Sequence, residues 1–201
     1  MDSPELEEVV SVLRAGGVLV YPTETFYGLG ASVESPEGVR KLVRLKVRPP
    51  EKPIAVLVSG FEMVERVADR FSAAARRLAE RFWPGPLTLV LPARPHVSPL
   101  LTAGSGTIGV RWSSHALATS IVEALGAPLT TPSANPSGEP PPVRIEEARA
   151  YFGEAVDRYV DGGTLAGGSP STVVDPGPPL RILRPGAVAE EALREAAEGS
   201  G

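Results

Sequence analysis

Proline and glycine interrupt this chain so often that no long uniform element can form. With 22 prolines and 21 glycines among 201 residues, the runs between breaks are short. Proline removes a backbone donor and fixes φ, while glycine favours turns. Those short runs switch between helical and strand patterning. Ser3-Pro4 reads as an N-cap followed by proline at the first helical position, with Leu6, Val9, Val10 and Leu13 on one face and Gly16-Gly17 as the stop. Val18 to Tyr21 is a short apolar strand ended by Pro22. Ser35-Pro36 repeats the cap, and Val39, Leu42 and Val43 predict a helix reaching about Leu45. The same reading gives a strand over 54–58, helices over 61–69 and 73–82, and strands over 87–91 and 107–112. A helix over 114–125 and a strand over 128–131 follow, then a long ordered loop over 133–142. A helix over 145–151, strands near 158–160, 172–175 and 180–184, and a helix over 189–197 complete the chain. The alternation favours α/β. The strands are too short and irregular for a regular doubly wound sheet. They predict a single domain over 1–201, core about 6–186, built on a twisted mixed sheet with flanking helices.

Composition narrows the function classes. The 20 Lys+Arg against 24 Asp+Glu give a net charge of −4, and 42% of residues are hydrophobic. That is an ordinary globular balance, and it argues against a protein coated in nucleic acid. The absence of cysteine excludes a disulfide scaffold, a thiolate metal site and a cysteine nucleophile. The acidic start, Met1-Asp2-Ser3-Pro4-Glu5, lacks the plan of a signal peptide, and no apolar run approaches the ~18 residues of a membrane span. A soluble, cytoplasmic protein with no membrane partner is expected. There is no phosphate-binding loop of the G-x-x-x-x-G-K-[ST] kind. Gly28-Leu29-Gly30 begins like a dinucleotide fingerprint, but Val33 stands where the third glycine belongs. His96 and His115 are far apart and no H-E-x-x-H occurs, so no metal site is expected. No G-x-S-x-G elbow accompanies His115.

Three segments carry chemistry. The chain has three lysines, Lys41, Lys46 and Lys52, and all fall in a basic stretch shared with Arg40, Arg44 and Arg48. Arg40, Lys41 and Arg44 read as a solvated helix face complementing the helix dipole. Beyond the helix, prolines 49 and 50 favour extended backbone, on which Lys46 and Arg48 would point the same way and converge on one anion. A lysine point charge beside an arginine fork suits a polyphosphate, with Lys52 as a third cation. The second segment, Thr130-Thr131-Pro132-Ser133-Ala134-Asn135, offers hydroxyls and an amide directly after a strand. The third, Pro22-Thr23-Glu24-Thr25-Phe26-Tyr27-Gly28-Leu29-Gly30, also follows a strand, with glycines that let backbone approach a ligand while Thr and Glu supply polar contacts. Together they suggest an anionic ligand at one end of the sheet. An ordinary turn is the competing reading for each of the two polar loops.

These segments resemble the YrdC family. The matching text is Tyr21-Pro-Thr-Glu-Thr-x-Tyr-Gly-Leu-Gly30, Lys46-x-Arg48-Pro49, Trp83-Pro-Gly-Pro-Leu-Thr88, Thr107-x-x-Val-Arg111, Pro132-Ser-Ala-Asn135, Ser171-Thr172 and Leu183-Arg-Pro-Gly186. The motifs occur in family order across about 20–186, and the chain looks like the short form without the extra C-terminal domain of longer relatives. The resemblance implies a YrdC-like fold and a nucleotidyltransferase that condenses L-threonine, bicarbonate or CO2, and ATP into threonylcarbamoyl-adenylate and pyrophosphate. The adenylate would feed a separate transferase that modifies tRNA, with direct tRNA binding possible and Mg2+ carried by ATP. Lys46 and Arg48 would be the catalytic phosphate clamp. Lys52, Thr107, Ser133, Asn135 and Arg184 would also hold ATP, Ser133 and Asn135 at its phosphates or the magnesium they carry. Thr25, Arg111, Thr131 and Ser171 would hold threonine, with Arg111 facing the carboxylate. No residue stands out as a general base. The chain departs from the family at Leu57, where long-form members place a histidine, at Pro141, where a serine is frequent, and at Ser169-Pro170. A non-catalytic RNA-binding protein using the 40–52 stretch is the alternative reading, and its affinity would fall steeply with salt.

Overall fold

The computed structural model describes residues 3–47 and 51–198. Within them the chain runs α1 (Ser3–Arg14), β1 (Leu19–Tyr21), β2 (Gly28–Gly30), α2 (Pro36–Lys46), β3 (Val56–Leu57), α3 (Phe61–Val64), α4 (Ala73–Phe82), β4 (Leu87–Pro92) and α5 (Pro99–Thr102). It continues through β5 (Thr107–Arg111), α6 (Ala116–Leu125), β6 (Leu129–Thr130), α7 (Ile145–Phe152), β7 (Arg158–Tyr159), β8 (Thr172–Asp175), β9 (Arg181–Arg184) and α8 (Glu190–Glu198). Helix starts are set by side-chain chemistry. Ser35 accepts a hydrogen bond from the Gly38 amide at 3.1 Å, and Ser72 accepts from Ala75 at 3.2 Å. None of these helices is long and apolar enough to cross a membrane.

The strands form a six-stranded sheet in the order β6-β3-β5-β4-β8-β9 and a three-stranded sheet in the order β2-β1-β7. Parallel pairs (β3 with β5, β4 with β8, β1 with β7) sit among antiparallel ones. Backbone bonds between the β2 and β6 segments join the two sheets. Thr130 N donates to Ala31 O at 3.0 Å, Leu29 N to Pro132 O at 2.8 Å, and Ala134 N to Tyr27 O at 2.8 Å. The result is the twisted mixed sheet with flanking helices that the patterning predicts.

Strand alternation sorts the core. In β1, Leu19 and Tyr21 face one cluster with Val9, Leu13, Ile121 and Val122 from α1 and α6. Val18 and Val20 face the larger cluster on the other side. In β4, Leu87, Leu89 and Leu91 enter that larger cluster with Ile108 and Val110 of β5. Their alternating neighbours, among them Thr88, Val90 and Gly109, line a cavity on the opposite face.

The structure differs from the sequence-based elements in four places. Gly28–Gly30 is a strand rather than loop, because it pairs antiparallel with β1 and its glycines leave room for a tyrosine ring. A Cβ at Gly30 would stand 2.9 Å from Tyr21 Cε1, so this glycine admits the ring and not a ligand. The helix expected over 61–69 ends at Val64. The following backbone is recruited by β4 instead, with Asp69 N donating to Pro92 O at 2.8 Å and Arg94 N to Val67 O at 2.9 Å. The short helix Pro99–Thr102 is additional, started by Ser98 and Pro99. Finally, α2 includes Lys46, and Val47 closes it in the left-handed region at φ 45°.

Two ties hold the sheet ends and yield tests. The buried Tyr21 hydroxyl donates to Thr130 O at 2.9 Å, bridging the two sheets. Tyr21→Phe leaves that carbonyl short of a donor and should cost about 1–3 kcal/mol, read as a lower urea midpoint at unchanged slope. The second tie is Asp157, whose carboxylate accepts from Lys41 Nζ at 2.7 Å on both oxygens and from Val18 N at 2.7 Å. Burial pushes its carboxyl up, but the Lys41 bond, the Val18 amide and the Lys41 charge together hold it below the usual value. A group lowered in the folded state stabilises above its unfolded value and loses that contribution as pH falls through the folded one. Stability should therefore drop as pH falls below about 4, and Asp157→Asn should flatten that drop in acid titrations followed by circular dichroism.

Candidate active site

The cavity encloses about 960 Å³ and spreads over the face of the central sheet. Its floor is Ala55 with Thr88, Val90, Thr107 and Gly109, and its walls are the loop after β1, the loop after β6, and the segments around Ser171 and Arg184. The cavity lies on a face of the sheet, whereas the sequence reading placed an anionic ligand at one end. Strands of both directions leave no common carboxyl edge, and the open surface is a face. Gly109 gives the floor its depth, since a Cβ there would lie 3.1 Å from the Ala55 Cβ and 3.2 Å from Thr88 Cγ2.

Of the residues singled out from sequence, Thr25, Arg111, Thr131 and Ser171 line this cavity. Lys52, Thr107, Ser133, Asn135 and Arg184 line it as well. They come from segments widely separated in the chain. Lys52, Arg111 and Arg184 face a single lining carboxylate, Glu139, among the described residues. Burial, and then the charge of Arg111, lower the affinity of Arg184 for its proton. Crowded cations of this kind favour an anionic ligand.

Arg111 is 6% exposed and is held from two segments. Its Nη2 lies 2.7 Å from Glu24 Oε1 and 3.5 Å from Thr25 Oγ1, while Nε donates to Gly85 O at 3.3 Å. Glu24 also accepts from the Ser113 hydroxyl. Burial would raise the Glu24 carboxyl, but the Arg111 charge and the bonds from Arg111 and Ser113 keep it below the ordinary value. Across the cavity, Arg184 Nη2 donates to Ser171 O at 2.8 Å and Ser171 Oγ at 2.9 Å, and that hydroxyl lies 3.0 Å from Thr88 Oγ1.

The lysine of the basic stretch behaves differently from expectation. Lys46 ends a helix rather than starting an extended segment, so the two-apart convergence with Arg48 does not apply. Its side chain is 3% exposed. The ammonium donates to Ser133 O at 2.6 Å, Asn135 O at 2.7 Å and Asn135 Oδ1 at 3.1 Å, behind the cavity wall. Asn135 Nδ2 in turn donates to Pro136 O at 3.0 Å and to Glu139 O. Lys46 and Asn135 thus shape the 133–139 loop. Arg48 lies outside the described residues. Arg40 pairs with Glu37 at 2.8 Å on the exposed helix face, whereas Lys41 is clamped to Asp157 instead of being only solvated.

Sequence reasoning gave the Thr and Glu of the Pro22–Gly30 loop ligand contacts, Ser113 a helix cap and Thr88 a place in the family pattern, but not the pairing of Glu24 with Arg111 and Ser113 or of Thr88 with Ser171. Thr88 carried a signal, a hydroxyl alternating with leucines in a strand. Glu24 carried another, since a buried arginine needs a carboxylate. His115 begins α6, and burial lowers its imidazole affinity for protons against the opposing charge of Glu24. Of the departures, Leu57 is buried in the cluster under α1 and α6 and does not line the cavity, whereas Pro141 and Pro170 do. Among the described residues no group of three His, Cys, Asp or Glu is placed to hold a metal.

Comparison with known proteins accounts for this arrangement. The Sua5/YciO/YrdC family, described as telomere recombination, matches residues 11–186. Threonylcarbamoyl-AMP synthase of Bacillus subtilis is 35% identical over 194 residues, which is 96% of this chain and 56% of that protein. The chain spans about half the length of that relative. Threonylcarbamoyl-AMP synthase of Photobacterium profundum is 34% identical over 172 residues, 85% of this chain and 93% of that one. The crystal structure of Pyrococcus abyssi Sua5 complexed with L-threonine superposes with a TM-score of 0.93 at 34% identity, covering 98% of this chain and 58% of that one. With the family's sequence pattern running through most of the chain and the same fold beneath it, the chain belongs to the Sua5/YciO/YrdC family.

Proposed function

We propose that this chain is a threonylcarbamoyl-AMP synthase, a nucleotidyltransferase acting on ATP, L-threonine and bicarbonate or CO2. The observation that carries the reading is the convergence, on one sheet face, of three cations and a row of hydroxyls from distant segments. Relatives bearing that name and a neighbour complexed with L-threonine support it. The threonine nitrogen forms a C–N bond to the carbon of CO2, and a carboxylate oxygen of the resulting N-carboxythreonine attacks the α-phosphorus. The bond to pyrophosphate breaks as the new P–O bond forms. Negative charge grows on the phosphate oxygens, and preplaced cations lower that barrier.

In this reading Lys52 and Arg184 face the phosphates with Arg48. Lys46 contributes by holding Ser133 and Asn135 in place for the phosphates and the magnesium that ATP carries. Thr107 borders the nucleotide. Thr25, Thr131 and Ser171 surround threonine, and Arg111 meets its carboxylate through Nη1, since its recorded contacts use Nε and Nη2. The adenylate would pass to a tRNA threonylcarbamoyl transferase in the cytoplasm.

Incubation with ATP, bicarbonate and magnesium should release pyrophosphate only when L-threonine is added, with threonylcarbamoyl-adenylate found by mass spectrometry. Pyrophosphate release indifferent to threonine would remove the reading. Lys52→Ala and Arg184→Ala each delete a charge-assisted contact and should raise KM for ATP about 10-fold or more. Unchanged KM in both would remove their assignment to the phosphates.

A further inference from the structure

Glu24 is absent from the cavity lining, yet it touches Arg111, the residue assigned above to the amino-acid carboxylate. Its carboxylate lies between Arg111 Nη2, at 2.7 Å, and the Ser113 hydroxyl. Gly85 O takes Nε from a separate segment. The guanidinium is planar and rigid, so contacts on Nε and Nη2 determine where the remaining Nη1 edge points. Ser113 lies just past β5, two residues beyond Arg111, and Glu24 sits in the loop after β1. The Ser113 hydrogen bond to Glu24 and the Glu24–Arg111 ion pair therefore tie the loop after β1 to the end of β5.

We infer that Glu24 is a positioning residue for the amino-acid substrate, presenting Arg111 Nη1 to the substrate carboxylate and balancing the buried guanidinium charge. This rests on the threonine-dependent reading above. Glu24 balances the guanidinium charge, and with Nε and Nη2 engaged the Nη1 edge is the one left to meet a substrate carboxylate. Removing one member of a buried ion pair also costs the fold, so the role is read from threonine against ATP and not from stability. Glu24 is also a poor base, being stabilised as the carboxylate by the same contacts.

Calorimetric titration with L-threonine and steady-state kinetics on the full chain separate the possibilities. Glu24→Gln keeps the shape and removes the charge. It should weaken threonine binding and raise its KM about 10- to 100-fold, the range for a charge-assisted hydrogen bond, while KM for ATP stays within about twofold. Glu24→Asp should restore part of the threonine affinity. Ser113→Ala should weaken threonine binding less than Glu24→Gln and still leave ATP untouched, and it decides the question if Glu24→Gln does not fold. Wild-type affinity should also fall in acid as Glu24 takes up a proton, a limb that Glu24→Gln lacks. Threonine binding equal to wild type in the folded variants, or KM for ATP rising in parallel, overturns the assignment. If wild-type protein binds no threonine and releases no pyrophosphate with it, the enzymatic reading fails instead, which the variants are not needed to reveal.

Discussion

The seam between the two sheets is the constraint on which the cavity depends. Tyr21 lies over Gly28 and Gly30 so closely that a Cβ at Gly30 would stand 2.9 Å from its ring, and its hydroxyl reaches Thr130 O. Backbone bonds from Leu29 and Ala134 close the same seam. Because β2 and β6 meet here, the loop that ends at Gly28 and the loop that begins at Thr131 become facing walls of one cavity. Loosening the seam would separate these two walls without disturbing either loop's own turn chemistry.

Charge inside that frame is divided between buried cations and cations that line the cavity. Arg111 is matched by Glu24, and Lys46 is surrounded by the oxygens of Ser133 and Asn135. Both are buried cations whose stability comes from built-in acceptors, and both fix a wall. Lys52 and Arg184 lie at the cavity, and Arg184 is electrostatically disfavoured by Arg111. A reaction that develops negative charge relieves that disfavour as it proceeds, which is how a fixed arrangement of charges favours a transition state over a ground state.

The basic stretch shows how far local reasoning reaches. Six cations in thirteen positions read as a phosphate site flanked by a solvated helix face. The structure spreads them among different tasks: Arg40 in a surface pair, Lys41 clamped to Asp157, Lys46 beneath a loop, Lys52 at the cavity. The partners that decide this, Asp157, Ser133 and Asn135, lie about a hundred residues away. No window of sequence contains both members of these pairs. Lys46 also depends on one residue of helix length, since ending α2 at Leu45 would have turned its side chain another way.

The sequence by itself determined the class of fold and the chemical inventory. Proline and glycine set the element lengths, alternation in strands such as Leu87–Leu91 separated core from cavity face, and caps such as Ser35 placed helix starts. These are local effects, governed by backbone conformation and side-chain periodicity, and they were legible residue by residue. Only the tertiary structure decided that Gly28–Gly30 is a strand, that residues after Val64 leave the helix to bridge Pro92–Arg94, and that the cavity opens on a sheet face. It alone brought Glu24 to Arg111 and Lys46 to Asn135. The physical reason is common to all of them. A strand pair, a buried counterion and a hydrogen-bonded ammonium each need a partner supplied by another part of the chain, and that partner acquires a position only when the whole sheet has formed.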